Sequence, residues 1–320
     1  MAEVNTVLCP VSPDDLGVTS MHEHILFGLP GWELAPEEHF DRAAAFEKIR
    51  SDLEEYRSLG GRTIVDCSGI ALGRDVEFYS LLSKATGVNI VAATGFSEEI
   101  AIPGHFHFFY DRSRGVQHLE RIFRDELRRG MAAKGMTRAA ARAGLITVGN
   151  SWDKITRVEE MTYRAAAQAA GETGAAVMTQ GVGQALRQME ILTGEGLDPG
   201  RIIIGHCDDA RAIDRERDEE IARRGAYVAY DHVGYEPPSP DYALPDERRV
   251  ELVVAMVAAG FVDRVILSSN AVGYPLGWEE PKHAFGHLLR SFVPMLRRAG
   301  IGEEAINIML VENPKRLLPF

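Results

Sequence analysis

The feature that most limits what this chain can fold into is a rhythm that returns eight times. Short apolar runs, rich in β-branched residues, alternate with longer stretches of helical period. The runs are read as strands at 19–25 (TSMHEHI), 62–68, 88–94, 143–148, 175–180, 201–206 (RIIIGH), 226–232 and 264–270. Helices are expected at 41–59, 75–86, 116–135, 157–173, 184–195, 214–224 and 246–260. Gly60, Gly87, Gly174 and Gly225 follow helical stretches, where glycine commonly closes a helix. Eight βα units with nearly continuous apolar strands predict an α/β chain folded as a (β/α)8 TIM barrel, taken as a single barrel domain over 1–320. The competitor is an open doubly wound sheet. That fold usually carries a glycine-rich phosphate loop after its first strand, and MHEH is not one.

Composition then narrows the partners. The 320 residues carry 47 acids against 35 bases, a net charge of −12. Such a surface repels nucleic acid and anionic membranes, which leaves a small-molecule substrate as the expected partner. No run approaches the ~20 apolar residues of a membrane span, and MAEVNTVLCPVSPDD lacks the basic and apolar regions of a secretion signal. Cys9, Cys67 and Cys207 are odd in number and far apart. They form no disulfide framework and fit a reducing cytoplasm.

Polar residues end the apolar runs: His22, His24, Cys67, Thr147, Gln180, His206, His232 and Asn270. In a parallel barrel these ends meet on one rim, where chemistry happens. His22 and His24 stand at i and i+2 of a strand and so face one side. They are either a pair of metal ligands or proton-transfer groups, or buried histidines hydrogen-bonded to neighbours. His206 is a ligand, an acid/base group or a core histidine. Asp209 is a natural partner for His232, since a carboxylate beside an imidazole raises its basicity, and it also suits a helix N-cap. The rim stretches 95–115, 233–245 and 271–282 are rich in aromatics and proline. Phe96, Ser97, Tyr235 and Trp278 in them suit a pocket for a partly apolar organic molecule.

In NTVLCPVSPDDLGVTSMHEHI, TIVDCSGIALGRDV, NIVAATGF, RAGLI, RIIIGHCDD and VENPKRLL, the chain resembles the phosphotriesterase family of the amidohydrolase superfamily, which includes the phosphotriesterase-like lactonases. The resemblance implies a metallo-dependent-hydrolase-like barrel with two divalent metals at its mouth. Its strand 1 histidine pair falls on His22 and His24, and its strand 6 histidine on His206. The bridging carboxylated lysine falls on Thr147, the strand 5 histidine on Gln180, and the strand 8 aspartate on Asn270. Three of six ligands are thus replaced. The family's acid/base partners match Asp209 and His232. Its aromatic after the ATG turn becomes Ser97 or shifts to Phe96.

These replacements set the functional expectation. Two cations a few ångströms apart repel strongly when their ligands are neutral. The binuclear centre is therefore expected to be absent and no cofactor is expected. Should a metal bind, it would be one zinc at His22, His24 and His206. The expected activity is metal-independent acid/base chemistry (isomerisation, elimination or cyclisation) on a small organic substrate such as one of specialised metabolism. His22, His24, His206, Asp209 and His232 would be its proton-transfer groups. Thr147, Gln180, Asn270, Ser97, Phe96, Cys67, Tyr235 and Trp278 would bind substrate. A mononuclear zinc hydrolase of an ester, lactone or amide is the first alternative, and a non-catalytic binding protein on the same scaffold is the second. Dimers are common in the resembled family, so a homodimer is the assembly it implies.

Overall fold

A computed structural model describes residues 2–35, 37, 40–110, 114–133, 137–151, 154–237, 243–277 and 284–320. Its main sheet has β1 (Val18–Phe27), β2 (Gly61–Asp66), β3 (Asn89–Phe96), β4 (Leu145–Val148), β5 (Val177–Thr179), β6 (Ile202–Ile204), β7 (Tyr227–Tyr230), β8 (Val265–Leu267) and β9 (Val272–Pro275). Neighbours run in the order β8-β7-β6-β5-β4-β3-β2-β1-β9, and the pairs are parallel. The segment after β8 closes the seam to β1. The Asn270 N–H donates to the His22 carbonyl, and the His24 N–H donates to the Ala271 carbonyl, each at 2.9 Å. The sheet is therefore a (β/α)8 barrel, with β9 continuing the eighth strand alongside β1.

Period-two alternation splits the strand side chains between two cores. Val65, Val91, Leu145, Met178, Ile203 and Ile266 fill the barrel interior. Their strand neighbours Ile64, Ile90, Ile146, Val177, Ile202 and Val265 face the helices. Filling the bottom of the barrel leaves the strand ends above it free to carry polar groups. β2 and β5 to β8 are shorter than the apolar runs suggest because the last residues of each run leave the ladder, and β4 is shorter at its start, whereas β1 and β3 extend beyond theirs.

The helices fall close to the expected stretches: α1 (Arg42–Ser58), α2 (Val76–Thr86), α3 (Gly104–Tyr110), α4 (Gly115–Arg128), α5 (Arg157–Thr173), α6 (Ala185–Gly194), α7 (Arg215–Arg223) and α8 (Asp246–Ala258). Gly87 and Gly174 close α2 and α5 in the left-handed conformation, at φ 69° and 88°. Two elements depart from the expectation. The helix expected over 116–135 stops at Arg128, just before Gly130 at φ 124°. The aromatic stretch read as loop contains α3, which buries Phe106 against Phe96 with ring centroids 5.3 Å apart.

The mouth loops are tied down by one buried carboxylate. Glu159 in α5 accepts from the Ser151 N–H at 2.8 Å, the Ser151 hydroxyl at 2.7 Å, the Glu99 N–H at 2.9 Å and the Thr156 N–H at 2.8 Å. The last bond and its return, from the Glu159 N–H to the Thr156 hydroxyl, form a capping box. Glu159→Ala leaves three loop N–H groups without their acceptor, and urea unfolding is expected to show a loss of about 3 kcal/mol. Thr156→Ala, which removes one cap, is expected to cost about 1 kcal/mol.

Candidate active site

A buried carboxylate organises the mouth. Asp231, just past β7, has no solvent exposure. Its Oδ2 lies 2.7 Å from His22 Nδ1 and its Oδ1 lies 3.0 Å from His206 Nδ1. The His206 N–H also donates to Oδ1, at 2.8 Å. Such contacts fix both rings with Nδ1 toward Asp231 and leave Nε2 turned away from it. His22 and His206 stand nearly parallel with centroids 5.0 Å apart, and His206 stacks on His232 at 4.3 Å. His24 meets His22 edge-on at 5.3 Å and holds the Ser68 hydroxyl with Nδ1 at 3.1 Å. The i, i+2 reading of His22 and His24 is thus what the backbone delivers.

The same burial acts differently on each imidazole. At His206, burial pushes the pKa down, but Asp231, by charge and hydrogen bond, with help from Asp208 and Asp209, leaves it above the ordinary value. At His22, burial outweighs Asp231 and the pKa falls. His24 is driven well below the ordinary value by burial and then by its histidine neighbours. Burial raises Asp231, yet the two imidazoles more than reverse this and hold it well below the usual carboxylate range. The mouth therefore pairs a readily protonated His206 with neutral His24, the separation that acid and base roles require. His206 and Asn270 also adopt positive φ, 57° and 49°. Left-handed backbone costs energy in a non-glycine residue and concentrates at functional sites.

A cavity of about 330 Å³ opens above these residues. Of the expected site residues, His24, His206, Asp209, His232, Gln180 and Asn270 line it, as do Ser97 and Tyr235. His22 lies fully buried behind His206. Thr147 is buried in β4, and its hydroxyl oxygen has no hydrogen-bond partner. Two expected residues stand elsewhere. Phe96 turns to the helix side, against Phe106 and Phe123, because it sits out of phase with the inward-facing Ala93. Cys67 joins the barrel-interior core beside Met178. Trp278 lies outside the described residues.

The partners differ in one respect from the sequence reading. The carboxylate within 3.5 Å of His232 Nδ1 is Asp208, not the expected Asp209. Asp209 instead grips Arg211 with both oxygens, at 3.0 and 2.8 Å. Polar residues at the mouth that escaped the sequence reading include Asp231, Glu98, Asn150 and Arg211, and Phe27, Val182 and Val272 add apolar lining. Asp231 left a trace, a charged residue inside the YDH string that ends an apolar strand. Glu98 is a rim carboxylate whose pKa rises through burial and then through the nearby Glu159 charge.

Two further carboxyls sit below the mouth. Glu23 accepts from the Ser20 and Ser268 hydroxyls and from the Ser269 and Ala271 N–H groups, and complete burial still raises it to about 7. Asp66 accepts from the Ile25 N–H at 2.7 Å and is raised by burial to about 6. A carboxyl whose folded pKa is raised binds more protons folded than unfolded. Its contribution is present below the unfolded pKa and is lost as pH climbs through the folded one. The stability advantage of the native chain over Asp66→Asn is therefore expected to shrink by up to about 3 kcal/mol between roughly pH 4 and 6. Denaturant unfolding of both chains across that range measures it, and a constant gap would refute it.

A sequence profile of the phosphotriesterase family matches residues 2–318. The chain belongs to the phosphotriesterase family. A phosphotriesterase homology protein of Mycobacterium tuberculosis is 31% identical, covering 99% of this chain and 98% of the relative. An aryldialkylphosphatase of Saccharolobus solfataricus is 28% identical, covering 96% of each. The solved organophosphorus hydrolase from Deinococcus radiodurans is 32% identical and superposes with a TM-score of 0.89 over 99% of this chain and 96% of that one. Family members usually bind two metals, so the donor set of this chain can be judged against that requirement. Three features of this chain bear on it. Thr147 cannot carry the bridging carbamate, and Gln180 donates its amide to the Cys67 carbonyl at 2.6 Å. The one carboxylate that reaches both His22 and His206 already accepts from them. Among the described residues, two groups bring three donor atoms within 4.8 Å of one another, His22 with His206 and Asp231, and Asp208 with Asp231 and His232. The Nε2 of His22 is buried without a partner while its Nδ1 is held by Asp231, the arrangement seen behind metal-bound histidines.

Proposed function

We propose that this member of the phosphotriesterase family works without a two-metal centre and performs acid/base chemistry on a small organic substrate. One observation carries the reading. The positions that would supply a bridging carbamate, an imidazole and a carboxylate hold neutral hydrogen-bonding residues, Thr147, Gln180 and Asn270, while the buried charge of Asp231 is spent on orienting imidazoles. In the cavity His206 serves as the acid and His24 as the base, with His232 beside them. Gln180 and Asn270 line the same wall and orient the polar end of the substrate. Removing a proton at one atom and returning one at another covers isomerisation, elimination and cyclisation. The three separated free cysteines fit a reducing compartment. No described helix is long and apolar enough to cross a membrane.

The unpartnered Nε2 of His22 favours a second reading, a single zinc held by His22, His24 and His206. An ion there would act as a Lewis acid on an ester, lactone or amide carbonyl. Metal analysis of the purified chain, with turnover of lactone and aryl ester panels before and after chelation, separates the two. Less than stoichiometric metal and turnover indifferent to chelation support the first. Hydrolysis that chelation abolishes and zinc restores overturns it in favour of the second.

A further inference from the structure

A chain of charged side chains leads from the mouth through the barrel wall to the outside of the molecule, and none of its outer members lines the cavity. Asp208 lies behind His232. Its Oδ2 accepts the His232 N–H at 3.0 Å, its Oδ1 accepts the Asp231 N–H at 3.1 Å, and Oδ1 stands 3.5 Å from His232 Nδ1. Arg249 of α8, fully buried, donates Nε to Asp208 Oδ2 at 2.7 Å and Nη1 to Asp246 Oδ1 at 2.9 Å. It also donates to the Tyr235 carbonyl at 3.1 Å and to the Leu244 carbonyl. Asp246 takes the Gly234 N–H at 3.0 Å, and its other oxygen lies 2.8 Å from His287 Nε2. His287 is the only one of these links with substantial exposure, 25% of its side chain.

We propose that His287 is a positioning residue for the mouth, acting through Asp246, Arg249 and Asp208 to fix the His232 ring and the rim segment Val233–Tyr235. The physical case is the balance of charge. Two buried carboxylates face one buried guanidinium, and an anion so placed is costly unless every oxygen has a donor. His287 supplies the donor that Asp246 Oδ2 needs. Without it, Asp246 must turn, and the two bonds it shares with Gly234 and Arg249 turn with it. Arg249 in turn orients the carboxylate behind His232. Arg249 holds Asp246 and Asp208 by one hydrogen bond each, and Asp208 meets His232 at both its backbone N–H and its ring, so a shift at one end is carried to the other. The proposal rests on the mouth being the working site and is indifferent to whether it holds a metal.

The experiment follows the histidine rings by ¹⁵N-edited NMR in three variants of the full chain. In His287→Ala the His232 ring signals are expected to shift and broaden, while those of His24, which lies off this chain, stay in place. His287→Gln, whose amide can donate to Asp246, is expected to restore the native His232 signals. Asp246→Asn, which keeps the shape and drops the charge, is expected to repeat the His287→Ala shift, and it stands in should that variant fold poorly. A purely local role for His287 predicts a lowered melting temperature with His232 signals unmoved. That result, in either variant, overturns the proposal. Metal content is not part of the readout, so failure here and failure of the metal-free reading are separate events.

Discussion

The triple change Thr147→Lys, Gln180→His and Asn270→Asp is expected to turn this chain into one that retains two equivalents of zinc through dialysis, in buffer containing bicarbonate. The lysine would carry a bridging carbamate, the histidine a third imidazole on the second side, and the aspartate a negative charge where the native residue has none. Together the two anions relieve the repulsion between neighbouring dications that neutral ligands cannot offset. Outer-shell partners of metal ligands alone are worth about 10–100-fold in affinity. Three restored ligands should therefore exceed about 10³-fold in sum. Gly69 packs closely against Thr147. A side chain at Gly69 would come within 2.9 Å of the Thr147 methyl and 2.8 Å of the Gly95 carbonyl, and glycine there keeps that approach open. Asn270 sits at φ 49°, a conformation that aspartate also accepts. Elemental analysis by mass spectrometry reads the outcome. A variant that holds no more zinc than the native chain would show that these three positions are not the missing ligands.

The second large effect is expected at Asp231. Asp231→Ala deprives two imidazole groups and the His206 N–H of a buried acceptor at once. Breaking a buried ionic arrangement from one side costs about 3–5 kcal/mol, which corresponds to a melting temperature lower by roughly 10 °C in a chain of this size. The pH dependence follows from the directions of the two shifts. The depressed Asp231 contributes stability above the ordinary carboxylate pKa, and that contribution is lost only as pH falls through its lowered value. The raised His206 contributes below the ordinary histidine pKa, and that contribution is lost as pH climbs through its raised value. The penalty is therefore largest between about pH 4 and 6.5. Asp231→Asn, which preserves shape, is expected to drop the His206 pKa, since burial then acts unopposed by the carboxylate charge. Thermal unfolding at pH 5.5 and a histidine NMR titration test both statements. A melting point unchanged in Asp231→Ala would mean that the carboxylate is not ionised between the two rings.

How much of this was legible beforehand depends on the distance over which each feature is encoded. The (β/α)8 barrel was written locally. Period-two runs ending in polar residues, helical stretches between them and glycines such as Gly87 and Gly174 state their elements within a dozen neighbours. The His22 and His24 pair was equally local, since strand geometry alone puts i and i+2 on one face. Phe96 misled because its neighbours could not say which strand phase faced the helices. The short helix Gly104–Tyr110 was missed because a run of aromatics has no clear period until Phe106 finds Phe96.

From sequence alone came the fold, the family and the histidines that end the strands, because these are properties of residue order and spacing. Only the tertiary structure decided which charges meet. Asp231 joins His22 across 209 positions, Glu23 gathers donors from Ser268 to Ala271, and Asp208 rather than Asp209 backs His232. The reason is physical. Pairing of buried charges depends on which ends of distant strands the closed barrel brings within hydrogen-bond reach, and on the loss of solvation there, and neither is set until the barrel closes.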